Sequence, residues 1–296
     1  MQSVQVSKSL SMSSVVQGFW RLSQWNFSTK ELVIFMNACI DRNVTTFDTA
    51  EIYAKTVCES LMGDAFRKDP SIRKRIQLVS KTGISFVERD DQVFNYYDTS
   101  YPRIIRSCKE SLQRLSTDSL DLYLIHREDP CMDVWETARA LQHLKQEGLI
   151  REVGVSNFDP YKFNALNTAM GGTLVTNQIE WNPVCFEHFN SGMIDLLGML
   201  KIRPMIWSPL AGGRLFFDDP KCESAMRKIR EIAERHNVDV SVIVYAWILH
   251  HPVGAIPISG SNKLTRLDCA IQALDVPLAH EEWYEIYSAS GQQKIR

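Results

Sequence analysis

Short runs rich in β-branched and other apolar residues alternate along the chain with longer stretches whose apolar positions recur every three or four residues. The short runs lie at 15–19, 44–48, 77–81, 120–126, 152–156, 175–179, 204–208 and 255–258, and each predicts a strand. The stretches between them predict helices. Ser28-Thr-Lys-Glu31 reads as a capping box, in which the serine hydroxyl takes the backbone N–H three residues on and the glutamate reaches back. Leu32, Phe35, Met36 and Cys39 follow it on one face. Residues 133–149 continue in the same manner, with Val134, Ala138, Leu141 and Leu144 inward and Gly148 near the end. The long step between the last two strands holds two helical patterns, 221–236 and 240–251.

A strand–helix–strand unit takes about 30 residues, and seven such steps fill the chain. Eight strands alternating with helices predict an α/β fold, a parallel sheet closed into a (β/α)8 TIM barrel, with residues 1–296 as a single domain. The alternative is an open doubly wound sheet. None of the fourteen glycines belongs to a G-x-G-x-x-G, which counts against the nucleotide-binding version of that sheet, and no G-x-x-x-x-G-K-[ST] is present.

Composition narrows the classes further. Hydrophobic residues make up 45% and charged residues 23%, which is ordinary globular usage. Lys plus Arg (33) nearly balances Asp plus Glu (35), so no basic excess points to nucleic acid or a membrane surface. The longest strongly apolar run is residues 242–249, far short of the ~20 needed for a membrane span. The seven cysteines are an odd number and none are spaced as C-x-x-C, which predicts reduced thiols rather than a disulfide framework or a zinc site. The opening MQSVQVSKSL lacks an apolar h-region, and a cytoplasmic location is expected. No three clustered ligands suggest a metal.

Barrel active sites lie at the C-terminal ends of the strands, so polar residues there carry the chemical question. The second strand ends on Asp48, with Tyr53 five residues on; the third ends on Lys81 and the fourth on His126. Burying such groups alone costs several kcal/mol or shifts their pKa. Together they can satisfy one another: Lys81 pairs with Asp48 and donates to the Tyr53 hydroxyl. A nearby ammonium would lower the phenol's pKa, making it a usable general acid toward a carbonyl oxygen. A single Asp–Lys pair at a strand end is more often structural, and a lone His closing a strand is more often a satisfied core residue. Four such groups in consecutive units weigh against both readings. Lys81 as a Schiff-base nucleophile of a hydrolase or aldolase stays open as well.

The segments FDTAEIY (47–53), VSKTG (79–83), LDLYLIH (120–126), GVSNF (154–158), NQIEWNP (177–183), WSPLAGGRL (207–215) and PISGSNKLTRL (257–267) resemble, in order and spacing, those of the aldo-keto reductase family. GFWRL (18–22), LIHREDP (124–130) and RPMIWSPLAGGRLF (203–216) further resemble a YdhF-like bacterial branch of NADP-linked oxidoreductases. The resemblance implies a reductase of small carbonyl compounds that uses NADP(H). Tyr53 would be the proton donor, Asp48 and Lys81 would tune it, and His126 would orient the carbonyl. Ser156, Asn157 and Gln178 would hold the nicotinamide carboxamide, and Trp207 would stack on its ring. Ser208, Pro209, Leu210, Gly212, Gly213 and Arg214 would follow the pyrophosphate. Gly260, Ser261, Asn262, Lys263 and Arg266 would meet the adenosine 2′-phosphate, and Gly18, Trp20 and Arg21 would also face the coenzyme.

The chain departs from that pattern in places. Ala54 follows Tyr53 where relatives often have glycine. Cys269 and Ala270 occupy positions where many relatives carry a Glu-Asn pair toward adenine, and Ile258 stands where one branch has lysine. On the substrate side, Trp20 and Trp25 would favour aromatic or apolar carbonyl compounds, and Arg127 an anionic group. Loop packing of Trp25 and a pair between Arg127 and Glu128 or Asp129 are the plain alternatives. A redox-reporting subunit that binds NADP(H) with little turnover is the competing function. The resemblance names no oligomeric state.

Overall fold

A computed structural model describes residues 3–89, 92–217 and 219–292 of the 296. All eight expected strands are present: Val16–Gly18, Thr46–Asp48, Gln77–Thr82, Leu120–Ile125, Ile150–Ser156, Leu174–Glu180, Met205–Trp207 and Ile256–Ser259. They form a closed barrel whose neighbours follow sequence order. Pairing is parallel, and the registers Asp48↔Val79, Lys81↔Leu124 and Gln178↔Ser156 place the polar ends of successive strands side by side. The fold is the (β/α)8 barrel expected from the alternation of elements.

The chain divides into two compact units, Met1–Gln178 and Ile179–Arg296. In the first, Phe47, Leu78, Val79, Leu122, Leu124, Val153 and Val155 are fully or almost fully buried along the strands. Helices Thr29–Asp41, Val57–Lys68, Tyr101–Leu115, Val134–Gln146 and Pro160–Ala169 cover them. The capping box is as expected: Ser28 Oγ accepts from Glu31 N–H at 3.3 Å and Glu31 Oε2 accepts from Ser28 N–H at 2.8 Å. Asp133 proves to be a cap rather than a helical residue, accepting from the N–H groups of Trp135 and Glu136 at 3.0 Å each. Among the described residues, three helices open on Asp-Pro, at Asp69-Pro70, Asp159-Pro160 and Asp219-Pro220. The carboxylate satisfies an orphan N–H there, and proline supplies a helical φ where no donor is needed.

The second unit packs Pro220–His236, Val240–His250, Leu264–Gln272 and His280–Ala289 around an aromatic core of Trp181, Phe186, Phe189, Trp247 and Trp283. Trp247 and Trp283 stack at 5.3 Å, and each indole N–H donates to the other's carbonyl at 3.1 Å.

Two antiparallel hairpins do not figure in the sequence reading. One pairs Ser3–Gln5 with Ser11–Ser13; the other pairs Ile84–Arg89 with Gln92–Tyr97, directly after the Lys81 strand. Every residue of Gln92–Tyr97 is exposed, so the alternation that marks a half-buried strand is absent there.

Candidate active site

Asp48 is the last residue of its strand, and Lys81 the last but one of the next; Asp48 is 3% exposed and Lys81 fully buried. The Lys81 ammonium donates to Asp48 Oδ1 (2.6 Å), the Thr49 carbonyl (2.7 Å) and the Tyr53 hydroxyl (3.1 Å). An ammonium has three N–H donors, and all three are satisfied. The other carboxylate oxygen of Asp48 accepts from Gln178 Nε2 at 2.8 Å. A buried ion pair is tolerable only when its remaining donors and acceptors are met, as they are here. His126 follows the fourth strand, where its N–H bonds the Thr82 carbonyl at 2.8 Å. Its ring meets that of Tyr53 edge to face, with centroids 5.7 Å apart. Its Nδ1 is buried with no hydrogen-bond partner. The structure thus brings all four expected groups together.

Burial works against the charge on Lys81, but Asp48, and then Tyr53, outweigh it and hold the ammonium above its ordinary pKa. Burial, with the positive charges of Lys81 and Arg127, pushes His126 well below the ordinary imidazole value, so the ring is neutral near pH 7. Tyr53 differs from the sequence expectation. Burial raises the phenol more than Lys81 lowers it, and Asp48 adds to the rise. The ammonium is already paired with Asp48, so the phenol meets a near-neutral pair while losing water, and it keeps its proton through neutral pH.

Ser156 and Asn157 extend the cluster. Ser156 Oγ donates to the Gln178 carbonyl at 2.8 Å and accepts from Asn157 Nδ2 at 2.8 Å. Asn157 holds a left-handed backbone (φ 59°), which asparagine tolerates better than most residues. Gly18 is buried beside Asp48 in register. Trp20 is exposed, with the Arg21 guanidinium carbon 5.1 Å from its ring centroid. Trp25 packs against Phe19, Phe27 and Phe35 at centroid distances of 5.4 to 5.7 Å, the arrangement of loop packing. Arg127 is half-buried. Asp129 accepts from the Thr99 hydroxyl and the Cys131 N–H, and Glu128 from the Asp159 N–H.

In the second unit, Trp207 ends its strand half-buried, and Pro209 is buried behind it. Ser208, Ala211, Gly212 and Gly213 all have positive φ (48°, 52°, 66° and 101°). They curl residues 208–213 into a tight turn, with Arg214 exposed after it. Gly260 is exposed, and Ser261 and Asn262 are half-buried. Ser261 Oγ accepts from Lys263 N–H at 3.0 Å, and Lys263 caps the helix Leu264–Gln272. Lys263 and Arg266 stand exposed at its start.

A model described as the Aldo/keto reductase family matches residues 14–290. The chain belongs to the aldo/keto reductase family. Oxidoreductase YdhF of Escherichia coli (strain K12) is 42% identical over 279 residues, covering 94% of this chain and 93% of YdhF. A 6-dehydroglucose reductase of Agrobacterium fabrum (strain C58) is 35% identical over 291 residues, covering 97% of each. Among solved structures, the thermostable aldo-keto reductase Tm1743, in complex with the inhibitor epalrestat, superposes with a TM-score of 0.81 at 26% identity and covers 98% of this chain and 100% of Tm1743.

Two features of this aldo/keto reductase lie outside the sequence reading. The carbonyl of Thr49 takes the third N–H of Lys81; every residue has a carbonyl, so no side-chain signal could mark it. Ala54, Lys55 and Thr56 form three consecutive left-handed residues after Tyr53, at φ 49°, 51° and 77°. That conformation costs non-glycine residues roughly 1–2 kcal/mol each.

Proposed function

We propose that the protein reduces aldehydes or ketones with NADP(H), that Asp48, Tyr53, Lys81 and His126 are its catalytic residues, and that residues 1–296 work as one domain. The observation that carries this reading is the Lys81 ammonium, buried and hydrogen-bonded at once to Asp48 and to the Tyr53 hydroxyl. Tyr53 holds a proton and transfers it to the carbonyl oxygen as negative charge develops there. Lys81 stabilises the phenolate left behind, and Asp48 holds Lys81. Neutral His126 donates a hydrogen bond to the same oxygen and fixes its direction, without adding a second buried charge.

NADP(H) supplies the hydride when bound. Ser156, Asn157 and Gln178 suit an amide, since hydroxyl and carboxamide groups answer both its donors and its acceptors. Trp207 offers a flat face for a ring. The turn through Ser208, Pro209, Leu210, Gly212 and Gly213, with exposed Arg214, suits a pyrophosphate. Gly260, Ser261, Asn262, Lys263 and Arg266, gathered at a helix start, suit a 2′-phosphate. Gly18, Trp20 and Arg21 complete the coenzyme set. Trp20, and more weakly Trp25 and Arg127, fall to the substrate.

A reductase of an oxidised sugar among the relatives supports a small carbonyl substrate. The complete set of four groups favours turnover over a coenzyme-reporting role. Seven free cysteines support a reducing, cytosolic setting.

The test is Tyr53→Phe. It is expected to lower kcat for NADPH-dependent carbonyl reduction by about 10²- to 10⁴-fold, the range for a lost general acid, while the NADPH Kd from fluorescence quenching stays unchanged. Undiminished turnover in the variant would remove Tyr53 from the chemistry. Tight NADPH binding by the wild type, with no turnover across a panel of aldehydes and ketones, would favour the reporting role.

A further inference from the structure

Glu51 lies three residues after Asp48 and two before Tyr53, and its side chain has no part in the chemistry described above. It is 5% exposed. Its Oε1 accepts from the Thr82 hydroxyl (3.0 Å), the Gly83 N–H (3.2 Å) and Arg103 Nη2 (2.9 Å), and its Oε2 accepts from the Ser107 hydroxyl. Its own N–H donates to the Lys81 carbonyl at 3.2 Å. Arg103 also donates from Nε to Ser85 Oγ (3.0 Å) and from Nη2 to the Ile84 carbonyl (3.4 Å). One buried ion pair therefore ties together the Tyr53 turn, the Lys81 strand, the base of the following hairpin and the helix Tyr101–Leu115. Side chains alternate across a strand, so a carboxylate held by Thr82 lies on the opposite face from the Lys81 ammonium.

The turn needs such a hold. Ala54, Lys55 and Thr56 are all left-handed, a conformation that non-glycine residues keep only when their surroundings impose it. If the turn relaxed, Tyr53 would move with it. We propose that Arg103, acting through Glu51, is a positioning residue: the pair anchors the strained turn to the Lys81 strand and so sets the contact between the Tyr53 hydroxyl and Lys81. This rests on the catalytic reading of Tyr53 given above.

The same helix supplies an internal control. Arg114 donates to Glu59 Oε2 (2.7 Å), and Ser80 donates to Glu59 Oε1 (2.6 Å), making a second buried pair on that helix. It ties the Lys81 strand to the helix Val57–Lys68 and does not grip the Tyr53 turn.

The test compares Arg103→Met, Arg103→Lys and Arg114→Met in the full chain. Thermal stability is expected to fall in both methionine variants. Only Arg103→Met should lower kcat, on the order of 10- to 100-fold, as expected for a misplaced catalytic group, with the NADPH Kd unchanged. Arg103→Lys should recover part of the loss. A second readout does not depend on turnover. Tyr53→3-fluorotyrosine reports the ionisation of that phenol by ¹⁹F NMR, and its pKa should move toward that of free fluorotyrosine in Arg103→Met but not in Arg114→Met. Unchanged kcat and unchanged ¹⁹F titration in a folded Arg103→Met would overturn the proposal, as would an Arg114→Met that matches it in both. If Arg103→Met does not fold, Ser107→Ala and Arg103→Lys decide by the same two readouts. If the wild type reduces no carbonyl compound, the catalytic reading fails, and the ¹⁹F titration still decides whether Arg103 positions Tyr53.

Discussion

A primary ammonium offers three donors, and Lys81 directs them to a carboxylate, a backbone carbonyl and a phenol. The same crowding that suits Lys81 keeps His126 neutral, because a second buried cation would meet both desolvation and the charge of Lys81. This has a consequence for stability. The folded-state pKa of His126 lies below that of the unfolded chain, about 6.5. Below that pH the unfolded chain binds a proton that the folded chain refuses, so stability falls as pH drops, by about 1.4 kcal/mol per unit from this group. His126→Phe keeps a ring and removes the titration. The decrease in Tm between pH 7.5 and 5.5 should be smaller in that variant than in the wild type, and an identical profile would refute the assignment. Some dependence should survive, since His251 is also held below its ordinary value. At this scale the residues of the Asp48–Tyr53–Lys81–His126 cluster, to which we assign the chemistry, were legible in sequence, whereas the direction of the Tyr53 shift was not. A shift is the balance of burial against charge, and burial is a tertiary quantity.

Among elements, the helices Val57–Lys68 and Tyr101–Leu115 show how tightly the first unit is packed. A Cβ on Gly63 would lie 1.9 Å from the Arg114 carbonyl oxygen. Gly63→Ala must therefore push two helix backbones apart, and a loss of about 1–3 kcal/mol is expected. The check is urea unfolding with a lowered midpoint and an unchanged slope. Strand and helix identities were readable because each barrel strand is a short apolar run and each helix carries a periodic face or a cap. The hairpin Ile84–Arg89 with Gln92–Tyr97 was not, since its second strand buries nothing and so leaves no alternation to find. The one trace it left is the lengthened step between the third and fourth strands. The Arg103 and Arg114 clamps were equally hidden. Nothing in the sequence pairs these two arginines, three helical turns apart, with their partners; only the structure sets Arg103 against Glu51 of the Tyr53 turn and Arg114 against Glu59 of the helix Val57–Lys68.

For the molecule as a whole, the coenzyme assignment makes the broadest demand, because it draws on residues from Gly18, at the end of the first barrel strand, to Arg266 in the helix Leu264–Gln272. Its most separable part is the charge at the start of Leu264–Gln272. Replacing both cations, Lys263→Ala with Arg266→Ala, should weaken NADPH binding about 10- to 100-fold, as for the loss of charge-assisted phosphate contacts, while leaving NADH binding unchanged. Added salt should narrow the difference, since exposed charges are screened. Equal losses for both coenzymes would place the 2′-phosphate elsewhere. The order of the barrel strands, the barrel they close and the identity of Asp48, Tyr53, Lys81 and His126 as the polar residues at or just after strand ends were determined by the sequence alone, because periodicity and motif spacing are local properties. That the Thr49 carbonyl takes the third donor of Lys81, which ionisations burial overrides and which ion pair grips the left-handed turn were decided only by the tertiary structure. Each of those depends on groups far apart in the chain that meet at short range with water excluded.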